Sequence, residues 1–126
     1  MAEELTKKLE VKAFENAKLY YNIGSYNSIL YKSAVIAFGN FQHDYPASAF
    51  AEEASFLRMD AQYKLAKGSY EAIIKNGAKV YLKRDRLYET IDFYHNFIDK
   101  FPESKYKKDA EVIYDSCQEQ LKQLKS

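Results

Sequence analysis

The sequence has no tryptophan, one cysteine, two prolines and four glycines among its 126 residues. With Cys117 as its single cysteine, the chain cannot form an internal disulfide. So few turn-forming residues predict long helices joined by few connections. A net charge of +1 gives no general reason to expect nucleic acid or a membrane surface as a partner.

Long apolar runs are also absent. No run approaches the roughly 18 residues that would predict a membrane-spanning helix. Residues 1–10 are charged and lack the apolar core of a signal peptide. Two alternatives follow: a cytosolic protein, or a mature or truncated chain whose targeting segment has been removed.

The sequence is rich in tyrosine and contains an internal repeat. Aromatics make up 16% of the chain, with twelve Tyr and eight Phe, and tyrosine suits half-buried positions between helices. Residues 33–66 align on residues 89–122 without a gap, and roughly two identities would be expected by chance. The identical pairs are Asn40/Asn96, Phe41/Phe97, Pro46/Pro102, Ser48/Ser104, Ala54/Ala110, Gln62/Gln118 and Leu65/Leu121. Repeats of this kind predict stacked modules, which commonly form binding surfaces.

Apolar periodicity predicts five helices, over about residues 3–23, 30–45, 48–76, 83–101 and 104–124. Pro46 and Pro102 should end the second and fourth helices, and Ser48 and Ser104 should begin the helices that follow. A helix pair of this type cannot bury its apolar face alone. The units should therefore stack in one helical-repeat domain over residues 1–126.

Residues 67–86 do not fit a simple repeat, because they make the second unit longer than a two-helix module. We expect the third helix to continue past Gly68 to about Asn76, with a turn at Gly77. The alternative is a separate short helix that begins at Tyr70.

The residues that carry the repeat resemble a known family. The second predicted helix fits the tetratricopeptide pattern Tyr31-x-x-Ala34-x-x-x-Phe38-x-x-Phe41-x-x-x-x-Pro46. A longer pattern resembles the repeats of BamD-type outer-membrane assembly lipoproteins: Ala34-x-x-x-Phe38-x-x-Phe41-x-x-x-Tyr45-Pro46-x-Ser48-x-Phe50-x-x-x-Ala54. Its second copy, over residues 91–106, matches that family more closely still. Residues 84–88 (Arg-Asp-Arg-Leu-Tyr) look like the Bacteroidetes form of that family.

The resemblance implies an all-α, right-handed tetratricopeptide-like solenoid of about two and a half repeats, with five to six helices. It implies a location at the periplasmic face of the outer membrane, and protein partners: a β-barrel assembly subunit and unfolded outer-membrane proteins. The family carries about five repeats and a lipid-modified cysteine near its start. We therefore expect this chain to be a C-terminal fragment, with membrane contact only through an anchor that it lacks.

No catalytic, metal-binding or cofactor-binding arrangement stands out in the sequence. His43 and His95 lack the helically spaced His or Cys partner of a metal pair, and we interpret both as surface histidines. Cys117 lies between Ile113 and Leu121 on an apolar seam, which predicts a buried structural thiol.

The repeat register predicts a partner-binding concave face made by the first helix of each pair. Aromatic and methionine side chains there would suit an extended peptide or a partner strand. The other interpretation is that these residues pack against a missing repeat. The predicted face comprises Phe14, Lys18, Tyr21, Met59, Gln62, Tyr63, Asp115 and Gln118.

A basic patch is the second candidate site. It could bind an acidic partner or lipid headgroups, or it could be a solvated helix face. Its charge is too small to predict nucleic-acid binding. The patch comprises Lys75, Lys79, Lys83, Arg84 and Arg86.

The sequence thus predicts a non-enzymatic protein–protein scaffold, with outer-membrane protein assembly as the expected setting. One alternative is a helical-repeat adaptor in another envelope complex or a cytosolic complex. The other is a regulatory small-molecule-binding domain of an enzyme system.

Overall fold

The computed structural model describes residues 2–124 of the chain. It contains five helices: α1 (Ala2–Ile23), α2 (Ile29–Asp44), α3 (Ala51–Lys67), α4 (Leu82–Lys100) and α5 (Lys107–Leu124). Two short strands, β1 (Ile73–Lys75) and β2 (Ala78–Val80), lie between α3 and α4. Each helix packs against the next along the chain, and α3 also contacts α1 and α5. This is the predicted all-α helical repeat, in which α1–α2 and α3–α4 form two pairs and α5 is half of a third.

The two proline junctions have the same backbone geometry. Tyr45 has φ −132° and ψ 61° before Pro46, and Phe101 has φ −132° and ψ 63° before Pro102. A residue before proline is pushed out of the helical region, so α2 and α4 end at Asp44 and Lys100, each one residue before the predicted end. α3 and α5 begin at Ala51 and Lys107, three residues later than predicted, because a turn from Ser48 or Ser104 precedes each.

The core consists of two apolar clusters. The first joins α1, α2 and α3, and the second joins α3, α4 and α5. Ala54 and Ala110 are fully buried at the two junctions, which confirms the predicted repeat register. Phe56 and Phe93 pack against both clusters and connect them.

The prediction that the third helix extends to Asn76 is wrong, and so is the alternative of a short helix that begins at Tyr70. α3 ends at Lys67, and β1 pairs antiparallel with β2, Ile73 opposite Val80. Asn76 and Gly77 connect the strands with φ values of 52° and 79°. A two-residue Asn-Gly loop with both φ angles positive is the preferred turn of a β-hairpin. The turn residues therefore determine the structure of this segment, and the helix does not continue through it.

Candidate protein-interaction surface

A serine hydroxyl makes the same two hydrogen bonds at each junction. Ser48 Oγ accepts from the Phe50 N–H at 3.0 Å and donates to Glu10 of α1 at 3.0 Å. At the second junction, Ser104 Oγ accepts from the Tyr106 N–H at 3.0 Å and donates to Glu52 of α3 at 2.9 Å. Each serine therefore ties the start of one first helix to the preceding first helix.

Stacked aromatic rings accompany both serines. The ring centroids of Phe14 and Phe50 lie 4.6 Å apart, with 9° between the planes. The rings of Phe56 and Tyr106 repeat this geometry at 4.7 Å and 8°. Stacking of this kind adds to the apolar area that the rings bury, and it fixes how successive first helices approach each other.

Polar contacts also join the first helices α1, α3 and α5; we call this set the tyrosine ladder. The Tyr21 hydroxyl donates to Asp60, and Lys64 Nζ donates to the Tyr21 hydroxyl at 3.0 Å. One unit on, the Tyr63 hydroxyl pairs with Ser116, and Gln120 Nε2 donates to it at 3.4 Å. The ladder comprises Tyr21, Asp60, Tyr63, Lys64, Ser116 and Gln120.

The charges within the ladder are partly shielded from water. Lys64 and Asp60 form an ion pair at 2.8 Å, and the Asp60 side chain is only 14% exposed. Burial raises the pKa of Tyr21, and its hydrogen bond to Asp60 raises it further. The Tyr21 hydroxyl therefore keeps its proton at neutral pH and remains a donor to the carboxylate.

These contacts were not predicted, because the repeat of 56 residues does not relate α1 to α3. The first helices α1 and α3 match at a spacing of 42 instead, as the pairs Glu10/Glu52, Phe14/Phe56 and Tyr21/Tyr63 show. A Glu-x-x-x-Phe pattern followed by tyrosine, occurring twice, was the available signal. The hairpin insertion after α3 changes the spacing from 42 to 56.

Three of the eight residues predicted for the partner-binding face are not at the surface. Phe14, Met59 and Gln62 are 4%, 0% and 3% exposed, so their assignment to an accessible face is corrected. Phe14 stacks in the first junction and Met59 lies in the second cluster. Gln62 Nε2 donates to the Arg86 carbonyl at 3.4 Å and to Glu89 at 3.3 Å. Helix periodicity alone did not distinguish the face that packs against α4 from the face that meets solvent.

The other five predicted residues lie on first helices and remain accessible at least in part. Lys18 of α1 forms an ion pair with Glu53 of α3 at 3.3 Å. Tyr21 and Tyr63 are half-buried in the tyrosine ladder, while Asp115 and Gln118 are exposed on α5. These residues form a polar, hydrogen-bonded surface, and the expected aromatic and methionine groove is absent from the described residues.

The five predicted basic residues do not form one helical stripe, because the hairpin separates them. Lys75 is on β1, Lys79 is on β2, and the other three are at the start of α4. Lys79 and Arg84 both stack on Tyr81, with the charged groups 5.2 and 4.6 Å from the ring centroid. Arg86 turns inward and donates to Ser69 Oγ at 2.6 Å. Lys79 and Arg84 are thus brought together, at a cavity of about 590 Å³ that Tyr88 and Leu121 also line.

The two histidines and the cysteine are the side chains most able to react. His43 is exposed and lies 3.1 Å from Asp44, and His95 packs edge-on against Tyr94 and Tyr114. Cys117 is buried as predicted, and burial raises the pKa of its thiol to about 12. Within residues 2–124, no three His, Cys, Asp or Glu side chains cluster as metal ligands would.

Two repeated junctions and the contacts between successive first helices define a helical-repeat protein. The sequence model of the YfiO family, described as outer membrane lipoproteins, matches residues 9–124. The chain belongs to this family, and the BamD-type resemblance is thereby supported. No curated protein matches the chain. Among the described residues, no helix combines the length and the apolar character that crossing a bilayer requires.

Proposed function

We propose that this protein is a non-enzymatic scaffold of the outer-membrane β-barrel assembly machinery. It would act at the periplasmic face of the outer membrane, where it would dock the barrel-forming subunit, unfolded outer-membrane protein segments, or both. Membership of the outer membrane lipoprotein family over residues 9–124 supports the location and the setting.

The observation that carries the proposal is the tyrosine ladder. The same kind of contact joins α1 to α3 and α3 to α5, with ion pairs at Lys64–Asp60 and Lys18–Glu53 alongside. A surface held in this way by three helices is ordered before a partner arrives. Less conformational entropy is then lost on binding, which favours docking of a folded partner domain.

The exposed part of this surface supplies the contacts in the proposal. Lys18 and Asp115 provide charges of opposite sign on α1 and α5, and Gln118 adds an amide that donates to Tyr114 at 2.8 Å. Charges placed in this way would set the orientation of a partner and its rate of association. Tyr21 and Tyr63 would hold the first helices in position, and they would contribute less to direct contact with the partner.

The test is a binding titration between the full chain and the purified periplasmic domains of the barrel-forming subunit. Asp115→Lys should weaken binding about tenfold, which corresponds to about 1.4 kcal/mol. Asp92→Lys is the matched control, because Asp92 is also an exposed aspartate but lies on α4, a second helix. Equal effects of both variants, or none, would remove the first-helix surface from the proposal.

A second assay separates the scaffold from a small-molecule regulator. Thermal shift is measured with a metabolite panel and, separately, with an unfolded outer-membrane protein segment. A ligand that binds the native state raises the melting temperature. Stabilisation by metabolites, with no response to the periplasmic domains or to the segment, would overturn the scaffold assignment.

A further inference from the structure

A second polar pocket lies away from the tyrosine ladder, where α2, α3 and α4 meet. It has a volume of about 320 Å³ and is lined by Gln42, Ser55, Arg58, Phe93 and Lys100, among others. Arg58 is two residues from Asp60 on α3, and 100° of rotation per residue puts their side chains on opposite sides of the helix. The pocket is therefore separate from the surface in the proposed function.

The Arg58 guanidinium is fixed in the pocket without an ion-pair partner. Its central carbon lies 4.2 Å from the centroid of the Phe93 ring, a cation–π contact. Its other support is the backbone of Gly39, where an added Cβ would come within 2.8 Å of Nη2. Packing thus holds the guanidinium in place while its charge remains available, because arginine stays protonated at all neutral pH values.

Two polar atoms of this pocket lack hydrogen-bond partners in the described protein. Arg58 Nε and Gln42 Oε1 are both shielded from solvent and unpaired. An unsatisfied buried polar group costs about 1–3 kcal/mol. A buried donor and a buried acceptor at this pocket are thus left without partners by the described protein.

The pocket is not a general feature of the repeat. At the positions 56 residues later, Tyr114 replaces Arg58 and His95 replaces Gly39. There the two rings pack against each other with centroids 5.7 Å apart, and no guanidinium is present at that position. Stacking of the units thus does not require the Gly39–Arg58 pair, so the pair calls for a separate explanation.

The charges that line the pocket indicate an anionic ligand. Arg58 and Lys100 line it and no acidic side chain does, while Glu89 acts electrostatically on both Arg58 and Arg86 from outside the lining. Lys100 makes no ion pair within the described residues. A guanidinium can bind a carboxylate through two hydrogen bonds, so the carboxylate of an acidic side chain fits this lining.

We propose that this pocket binds an acidic side chain of a protein partner, with the carboxylate on Arg58 and Lys100. The probe is the tripeptide acetyl-Ala-Glu-Ala-amide, titrated into the full chain at constant ionic strength. Nitrogen–proton NMR spectra follow the Arg58 Nε–H signal together with the backbone amides of α2, α3 and α4. We expect a saturable shift of these signals with the glutamate peptide and none with acetyl-Ala-Gln-Ala-amide.

Three variants test the residues that carry the proposal. Arg58→Gln should weaken peptide binding about tenfold or more, and Lys100→Gln about threefold, since charge-assisted hydrogen bonds are lost. Gly39→Ala should weaken binding severalfold while every charge is retained, because the added methyl displaces the guanidinium. Lys105→Gln is the matched control, since this lysine lies over the ring of Tyr106 and outside the pocket.

Each outcome decides the proposal. Equal shifts with the glutamate and glutamine peptides, or no saturable shift, would overturn it. Inorganic phosphate that binds more tightly than the glutamate peptide would overturn the carboxylate assignment. Circular dichroism melts report whether each variant folds. If Arg58→Gln does not fold, Gly39→Ala and Lys100→Gln still give the result.

Discussion

At the scale of single residues, Cys117 shows how burial determines reactivity. Its side chain has no exposed surface, and burial raises the pKa of the thiol to about 12. Only the thiolate reacts with disulfide reagents. Labelling of the native protein by an aromatic disulfide reagent at pH 8 should therefore proceed only through opening of α5, far more slowly than labelling in denaturant.

The control for this prediction places a thiol in solvent. Ser25→Cys in a Cys117→Ser background carries its cysteine in the exposed turn after α1. This variant should be labelled at the rate of a free thiol with or without denaturant. Native Cys117 labelled as fast as Cys at position 25 would show that α5 does not protect it.

At the scale of elements, the hairpin should behave as a local unit. Gly77→Ala places a Cβ on a residue with φ of 79°, which costs about 1 kcal/mol. Hydrogen exchange of residues 73–80 should become faster, while the melting temperature of the helices stays the same. The matched control is Gly68→Ala, where φ is −84° and the new Cβ meets its nearest atom at 3.7 Å.

Hydrogen exchange at the end of α3 should stay the same or become slower in Gly68→Ala. At a negative φ, alanine stabilises the native state by reducing the conformational freedom of the unfolded chain. A lower melting temperature for Gly77→Ala would contradict the expectation that the hairpin is a local unit. That result would mean that the hairpin supports the packing of α4 against α5.

The junction serines give the second prediction for elements. Ser104→Ala removes one donated and one accepted hydrogen bond, and the free energy of unfolding should fall by about 1 kcal/mol. Ser48→Ala should cause a loss of similar size, because Glu10 replaces Glu52 in an otherwise identical arrangement. Denaturant unfolding measures both. If one serine matters and the other does not, the two junctions are not energetically equivalent.

Local signals could predict some of these elements and not others. Pro46 and Pro102 end helices by a rule that involves one neighbouring residue, and Ala54 and Ala110 follow from the repeat itself. The Asn76-Gly77 turn was also a local signal, but the length expected of a repeat outweighed it. The burial of Phe14, Met59 and Gln62 could not be predicted in this way, because each is covered by residues distant in sequence.

At the scale of the whole molecule, stability depends on how the two apolar clusters are connected. In a stacked repeat, each unit is stabilised mainly by its neighbours, so unfolding is cooperative only while the interfaces are intact. Phe56 packs against both clusters, whereas Phe50 packs only against the first. Both rings are half-buried and stack on an aromatic partner at similar distances, which makes them a matched pair.

Phe56→Ala should lower the free energy of unfolding by roughly 2–3 kcal/mol, because a half-buried ring that packs against both clusters is lost. Hydrogen exchange should become faster in α1–α2 and in α4–α5 alike, since the connection between the clusters is weakened. Phe50→Ala should increase exchange chiefly in α1 and α2. If Phe56→Ala affected only α4 and α5, the clusters would be independent. The protein would then unfold in two steps, and its first-helix surface would not be a single rigid body.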